Sequence, residues 1–259
     1  MIREEIKNND EEKVYIDQYI LIVTCLLFLP ACFQNEKEEI QTNEKASEKM
    51  ETIKNEKPKN NEGQDPKELE SNTAEASIRL PVPEKIQETD YYCAVACLQM
   101  VLEYHGIVED QAVLAKQLNA KPITGTEYED LAREASVYIF GKEPETDTDP
   151  GYRATLWTQN QAEPNAKAIF EERVKTDLEH GDPVFVSINV APAYGYTQDA
   201  VHELVLYGAD YDDSGKALMY YCIDPSYRSQ DPQYGGKKMW SSDALWNFMN
   251  DNPEPGYVW

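Results

Sequence analysis

The aromatic residues of this chain are distributed unevenly, and this distribution limits which part of it can fold. All four Trp, all three His and 15 of the 17 Tyr lie after residue 78 of the 259 residues. Aromatic side chains bury the largest areas in a protein core, so this C-terminal part holds the material for one core. We therefore predict a single globular domain over residues 79–259.

Residues 33–78 have a composition that is typical of a tether. Large apolar residues are sparse there and follow neither a helical nor a strand period among the Glu, Lys, Asn and Gln. Such a segment cannot bury enough apolar surface to offset the loss of backbone entropy on folding. We expect it to stay disordered.

A short apolar stretch at residues 20–29 precedes this tether. It is too short to cross a hydrocarbon layer of about 30 Å as a helix, but it suits the apolar region of a secretory signal peptide. The Leu-Pro-Ala-Cys sequence that ends at Cys32 resembles a bacterial lipobox. This resemblance implies a signal peptide over residues 1–32 and a diacylglycerol anchor on Cys32. The protein would then face outward from the bacterial cytoplasmic membrane.

The charge balance argues against one class of partner. The chain has 24 Lys and Arg against 48 Asp and Glu, a formal net charge of -24. Nucleic-acid binding relies on clustered Lys and Arg that displace counterions from phosphates, so we expect no nucleic-acid partner. The acidic run within residues 143–149 would favour basic substrates if it faced a cleft, although a solvated loop is the simpler explanation.

The domain shows helical patterns first and strand patterns afterwards. Apolar residues at helical spacing predict four helices. The first begins after Tyr92, and the others span residues 109–118, 127–137 and 165–180. Runs of β-branched and aromatic residues predict strands at 184–190, 202–209 and 217–223. This order indicates an α+β fold in which N-terminal helices pack on a C-terminal antiparallel sheet.

An acidic turn at residues 210–215 lies between the last two predicted strands. Asp210, Asp212 and Gly215 carry part of the spacing of a calcium loop. Tyr221 occupies the twelfth position, where such a loop needs a bidentate Glu. We interpret the segment as a hairpin turn and predict neither a metal nor a cofactor site.

Three cysteines lie in the predicted domain. Cys93 is placed at the start of the first helix, where free amides and the helix dipole favour the thiolate that attacks carbonyl carbon. Cys97 lies one turn later and Cys222 lies within a strand, so both are expected to be structural. The sequence does not decide whether Cys97 and Cys222 form a disulfide. Cys93 is therefore the candidate nucleophile.

A nucleophilic cysteine needs a base, and the chain has three histidines. His105 and His180 each end a predicted helix before a glycine, which C-terminal capping alone explains. His202 opens an apolar strand after a long loop, so it is the candidate base. Asp224 ends the neighbouring strand and is the candidate that orients the imidazole, although an Asp before Pro is also common in turns.

Gln87 completes the candidate site. It lies six residues before Cys93, and its amide is a candidate donor beside the Cys93 backbone N–H. Two such donors would stabilise the oxyanion that forms when a nucleophile adds to a carbonyl group. Without the other three residues, Gln87 would be an ordinary loop residue.

With these residues assembled, the domain resembles the papain-like cysteine peptidases of family thirty-nine, the double-glycine leader peptidases, in their stand-alone branch. The segments that carry the resemblance follow the order of the family and are 81–83, 87–93, 98–106, 125–131, 178–184, 202–208 and 221–225. The resemblance implies a papain-like fold with Cys93 as nucleophile and His202 as base and acid. Asp224 would orient His202, and Gln87 would be the oxyanion donor.

The resulting prediction is a surface-anchored cysteine peptidase or amide hydrolase that forms a thioester with a peptide or protein substrate. Two alternatives stay open. The family usually has Gly-Pro-Ala after the nucleophile, whereas this chain has Ala94, Val95 and Ala96. An altered first helical turn would leave a catalytically inactive peptide-binding module. A peptidoglycan hydrolase would use the same chemistry, but such Cys–His hydrolases lack a Gln six residues before the Cys.

Overall fold

The computed structural model describes residues 76–146 and 148–259. The predicted signal peptide over residues 1–32, with Cys32, lies outside the described residues, and so do residues 33–75 of the predicted tether. In the part of the chain that is described, no helix has both the length and the apolar character needed to cross a membrane.

The described residues form six helices, seven strands and one short 3₁₀ turn. The helices are α1 (Cys93–Tyr104), α2 (Gln111–Gln117), α3 (Tyr128–Phe140), α4 (Ala166–His180), α5 (Val190–Tyr194) and α6 (Ser242–Asn250). The strands are β1 (Ala76–Arg79), β2 (Ala154–Leu156), β3 (Val184–Asn189), β4 (Val201–Tyr211), β5 (Ala217–Ile223), β6 (Lys237–Ser241) and β7 (Gly256–Val258). The 3₁₀ turn spans Tyr227–Ser229.

All seven strands belong to one antiparallel sheet in the order β2-β7-β3-β4-β5-β6, and β1 also pairs with β4. Three helices precede most of the sheet in sequence, which confirms the predicted α+β class. Strand β4 is central because β1, β3 and β5 all pair with it. A side chain placed on β4 is therefore held on several sides.

Alternation along β4 divides the apolar residues between two layers, because successive strand side chains point to opposite faces. Val205 packs with Leu98 and Val101 of α1 on one face of the sheet. Leu204 and Leu206 pack with Phe170 and other residues of α4 and α6 on the opposite face. Burying a side chain of this size contributes roughly 1.5–3 kcal/mol, so both layers hold β4 firmly.

The first described strand includes three residues that precede the predicted start of the domain at residue 79. Residues 76–78 were assigned to the tether, but they belong to β1, where Ile78 pairs with Ala209. The predicted loop after β3 also contains α5, whose first turn is capped by the side chain of Asn189. The turn after residue 210 is a hairpin between β4 and β5, as predicted, and Asp212 Oδ1 accepts from the N–H groups of Ser214 and Lys216.

Candidate active site

Cys93 is the first residue of α1. No side chain among the described residues caps this end of the helix, so the amides of the first turn contribute a partial positive charge beside the sulfur. Cys93 is partly exposed, whereas Ala94 and Val95 that follow it are buried. Cys93 thus starts a helix whose next residues are packed in the core.

His202 and Asp224 form a buried pair next to the sheet. The Nε2 atom of His202 lies 2.7 Å from Oδ1 of Asp224, and the two residues are 8% and 1% exposed. They meet because Val205 of β4 pairs with Ile223 of β5, which brings the start of one strand to the end of the other. Asp224 is thus positioned by the strand pairing rather than by proximity in sequence.

The Asp224 carboxylate accepts three hydrogen bonds. Besides His202, the backbone N–H of Ser226 donates to Oδ1 at 2.7 Å, and the hydroxyl of Tyr194 donates to Oδ2 at 2.5 Å. Burial alone raises the pKa of Asp224, but these donors outweigh it and hold the pKa below its ordinary value. A Cβ at Gly236 would approach the Asp224 carbonyl oxygen to 2.4 Å, so glycine is required beside it.

Cys93 and His202 lie close enough for each to shift the pKa of the other. Because Nε2 of the imidazole bonds to Asp224, Nδ1 remains for the sulfur. Burial alone raises the pKa of Cys93, yet the hydrogen bond and positive charge of His202 lower it below its ordinary value. Burial likewise lowers the pKa of His202, but Asp224 and Cys93 outweigh it and raise this pKa. A lowered pKa for the thiol and a raised pKa for the imidazole both favour a thiolate–imidazolium pair.

The other two cysteines do not share this environment. Cys97 and Cys222 are free thiols with no exposed surface, and the disulfide left open in the sequence is not formed. Cys97 donates from Sγ to the carbonyl oxygen of Glu203 at 3.4 Å. Burial raises the pKa of both thiols well above the ordinary value. Neither is a nucleophile at neutral pH, since the thiolate is the reactive form.

The remaining histidines contact residues other than these. His105 follows α1, and its Nε2 lies 3.7 Å from a carboxylate oxygen of Asp182. His180 ends α4, and its Nδ1 lies 2.8 Å from the carbonyl oxygen of Thr176. Of the three histidines, His202 is the one that the fold places against a cysteine.

Gln87 lies in the loop that leads into α1 and is buried. Its Nε2 donates to the carbonyl oxygen of Thr89 at 2.7 Å, and the same oxygen accepts from the N–H of Tyr92. The backbone N–H of Gln87 donates to Pro225, directly after Asp224. Gln87 thus joins the start of α1 to the end of β5. The bond to Thr89 uses one of the two hydrogens on Nε2.

Residues 79–251 match the sequence model of the Peptidase_C39 like family. The chain belongs to this family. The resemblance to family thirty-nine that was inferred from separate motifs is thereby confirmed at the level of the family. Membership supports an activity of the cysteine-peptidase type. A comparison with curated proteins found no match.

Several solved structures of the same kind are similar to the chain. A double glycine motif protease from an AMS/PCAT transporter, in complex with the leader peptide, is 16% identical over 70% of this chain and 91% of its own, with a TM-score of 0.39. A C39-like peptidase from Bacillus anthracis is 17% identical over 71% and 97%, with a TM-score of 0.43. The peptidase domain of Streptococcus ComA is 13% identical over 68% and 94%, with a TM-score of 0.41.

Two residues at this site of the C39-like chain were missed from the sequence. Tyr194 lies in α5, within a predicted loop, and reaches Asp224 only through the tertiary fold. Glu203 directly follows His202 in β4 and is 5% exposed. A charged residue within an otherwise apolar strand was a signal for Glu203, because buried carboxyl groups are uncommon. No local pattern pointed to Tyr194.

The Glu203 carboxyl group is confined in the layer between the sheet and the helices. Ser187 of β3 pairs with Glu203 in the sheet. The Oε1 atom of Glu203 has no hydrogen-bond partner among the described residues. Burial, followed by the negative charge of Cys93, raises the pKa of Glu203 to about 8. The group is therefore protonated at neutral pH and ionises only in alkaline solution.

We expect the Glu203→Gln variant to lose less stability than the parent protein as pH rises. In the parent, the folded state holds a proton that the unfolded state has released between about pH 4.5 and 8, so the free energy of unfolding falls across this window. Each unit of pKa difference between the folded and unfolded states changes the free energy of unfolding by about 1.4 kcal/mol. The parent protein should therefore lose several kcal/mol of stability by pH 8.5. Urea unfolding at pH 5 and 8.5 measures it.

The control for this comparison is Glu179→Gln, because Glu179 is an exposed glutamate on α4 paired with Lys175. It should keep the pH dependence of the parent protein. If the parent and Glu203→Gln lose the same stability between pH 5 and 8.5, the Glu203 carboxyl group is not buried as described.

Proposed function

We propose that this chain is a cysteine peptidase that cleaves peptide bonds through a thioester acyl-enzyme. Family membership supports the reaction class, and one observation carries the proposal. A partly exposed Cys93 at a helix start has its pKa lowered by His202, whose Nε2 lies 2.7 Å from Asp224. These are the three groups that thiol-dependent acyl transfer needs.

In the proposed mechanism, the Cys93 thiolate adds to the carbonyl carbon of the scissile bond. The backbone N–H of Cys93 and the free hydrogen on Gln87 Nε2 donate to the resulting oxyanion. The His202 imidazolium protonates the leaving amine, the carbon–nitrogen bond breaks, and the thioester remains. Neutral His202 then takes a proton from water, whose oxygen attacks the thioester. The carboxylic acid product leaves, and the thiolate–imidazolium pair is restored.

Asp224 contributes by holding the imidazole and stabilising its positive charge. Its carboxylate is itself held by Tyr194 and Ser226, so the direction of the Nε2–Oδ1 bond is set by three elements of the fold. Fixed orientation is what allows one side chain to act first as an acid and then as a base.

The location of the protein rests on the sequence alone. We propose that Cys32 carries the lipid anchor and that the domain acts on peptides or proteins outside the cytoplasmic membrane. The residues that would form the signal peptide and the tether are 1–75. The reaction proposed for Cys93 does not depend on this location.

The experiment that tests the proposed function is alkylation of the full-length chain by iodoacetamide at a series of pH values, with the modified thiol mapped by mass spectrometry. We expect Cys93 to react well below pH 8, because His202 lowers its pKa. In the His202→Ala variant, the midpoint should move to the pH range of an ordinary thiol. Cys97 and Cys222 should stay unmodified in the folded protein.

A His105→Ala variant is the matched control, since His105 lies at the other end of α1 and contacts Asp182. It should leave the pH profile of Cys93 unchanged. A Cys93 that reacts no faster than an ordinary thiol would contradict the proposed pair. It would favour the catalytically inactive peptide-binding module, the alternative that the Ala94-Val95 sequence had left open.

A further inference from the structure

An open groove lies beside the proposed active site. Its volume is about 470 Å³, and it lies between the end of α5, the 3₁₀ turn and strand β6. Tyr194 lines this groove and also donates to Asp224. The side chain of Tyr194 therefore lies between the groove and the His202–Asp224 pair. A peptide bound at Cys93 could extend into it.

The charge of the groove is opposite to that of the chain. Arg228, Lys237 and Lys238 line it, and Asp231 is the only acid among the described residues of the lining. The chain as a whole has twice as many acidic as basic residues. Asp231 Oδ1 accepts from the N–H groups of a tight turn, which do not remove its charge, so three cations and one carboxylate line the groove. A local positive potential remains.

Lys238 is the cation of the lining that forms no ion pair among the described residues, although its charge interacts with that of Asp231. Its Nζ donates to the carbonyl oxygen of Ser229 at 2.5 Å and pairs with no carboxylate among the described residues. The two other cations pair at the surface: Arg228 lies 3.4 Å from Asp90 and Lys237 lies 3.3 Å from Glu84. Exposed pairs of this kind contribute little, so a better-placed carboxylate can replace them.

Aromatic side chains form the rest of the groove. Tyr194 lies with its ring 6.0 Å from that of Tyr196 and 6.1 Å from that of Trp240. Met239 is 58% exposed at the edge. Such a surface accommodates the backbone and apolar stems of an extended peptide, while the cations select the charge of its side chains.

We propose that this groove is a subsite that selects peptides with a Glu or Asp near the bond to be cleaved. The inference rests on the proposed peptidase function and adds the substrate class to it. Lys238 supplies the main contact with the substrate carboxylate, and Arg228 supplies a second. The acidic loop within residues 143–149 does not oppose this choice, because Asp149 lines a different pocket.

The test measures binding separately from cleavage. The full-length Cys93→Ala variant is titrated by fluorescence anisotropy with labelled decapeptides, in which each position in turn carries Glu or its neutral counterpart Gln. At one or two positions, the Glu peptide should bind about five- to tenfold more tightly than its Gln partner. The ratio should approach one in about 1 M salt, where the Debye length is about 3 Å.

Variants then assign the selectivity to the groove. Lys238→Gln in the same background should reduce the ratio to below about twofold, and Arg228→Gln should reduce it partly. Lys116→Gln removes one positive charge from an exposed position of α2, outside the groove, and should leave the ratio unchanged. Circular dichroism of each variant confirms that the comparison is made between folded proteins.

Three results would overturn the proposed subsite. The first is equal affinity of the Glu and Gln peptides at every position. The second is a ratio of Glu-peptide to Gln-peptide affinity that persists when Lys238 and Arg228 are both replaced. The third is an equal increase in affinity for both peptides in the Lys238→Gln variant. The last result would mean that an acidic segment of the chain itself occupies the groove. Cleavage by the parent protein without Glu selectivity would refute only the subsite, whereas selective binding without cleavage would refute only the peptidase function.

Discussion

Replacing Cys93 by alanine in the full-length chain is expected to reduce kcat/KM for peptide hydrolysis by at least roughly 10⁴-fold. Without the sulfur no thioester can form, and the His202 imidazole has no bound nucleophile to activate. Release of new amino termini from a peptide mixture, followed by mass spectrometry, measures the rate and the cleaved bonds together. Cys93→Ser should be almost as inactive, because a hydroxyl group is far harder to ionise than a thiol.

The matched controls for Cys93 are the two buried thiols. Cys97→Ala and Cys222→Ala each remove a buried sulfur whose pKa is raised by burial. Both variants should retain activity, apart from a loss of stability on the order of 1 kcal/mol from the lost packing. Full hydrolysis by Cys93→Ala would refute the proposed mechanism, and loss of activity in all three variants would indicate a general effect on folding.

The second large effect is expected at Asp224, where two substitutions separate orientation from charge. Asp224→Ala removes the acceptor for His202 altogether and should reduce kcat/KM by roughly 10²- to 10³-fold. Asp224→Asn can keep the amide oxygen at the position of Oδ1, where it still accepts from His202 and Ser226. The Tyr194 hydroxyl then rotates to accept from the amide. We expect only about a tenfold loss for this variant.

The pH profile distinguishes the two contributions of Asp224. The carboxylate raises the pKa of His202, so its removal lowers the pH above which the imidazolium proton is lost. Both variants should therefore shift the alkaline limb of kcat/KM to lower pH, while the plateau value should fall much further in Asp224→Ala than in Asp224→Asn. Equal rates in Asp224→Ala and Asp224→Asn would show that orientation contributes nothing. An unchanged alkaline limb would show that the charge contributes nothing.

Much of the proposed site was accessible from local sequence patterns because its members lie at the ends of secondary-structure elements. Cys93 was found through the apolar period of α1, and His202 through the start of an apolar strand. Asp224 was found because it follows β5 and precedes a proline. In each case a chemically special residue interrupts a regular pattern at its boundary. Gln87 was found because it lies a short distance before Cys93.

The parts that were missed have no local pattern. Strands β2 and β7 have three residues each, which is too short to show alternation, and β6 carries lysines at the edge of the sheet. Helix α5 has five residues and includes a proline. Their positions depend on pairing with distant strands, so they could not be read from their own residues.

The sequence by itself predicted that the C-terminal part of the chain folds, that four helices precede the central strands, and that a thiol lies at the start of the first helix. Periodicity and composition are local properties, and these features follow from them. The tertiary structure alone decided that Tyr194 supports Asp224, that Glu203 is confined beside Cys93, and that three cations line one groove. These contacts join residues far apart in the chain, and they are set by strand register and helix packing, which no single segment encodes.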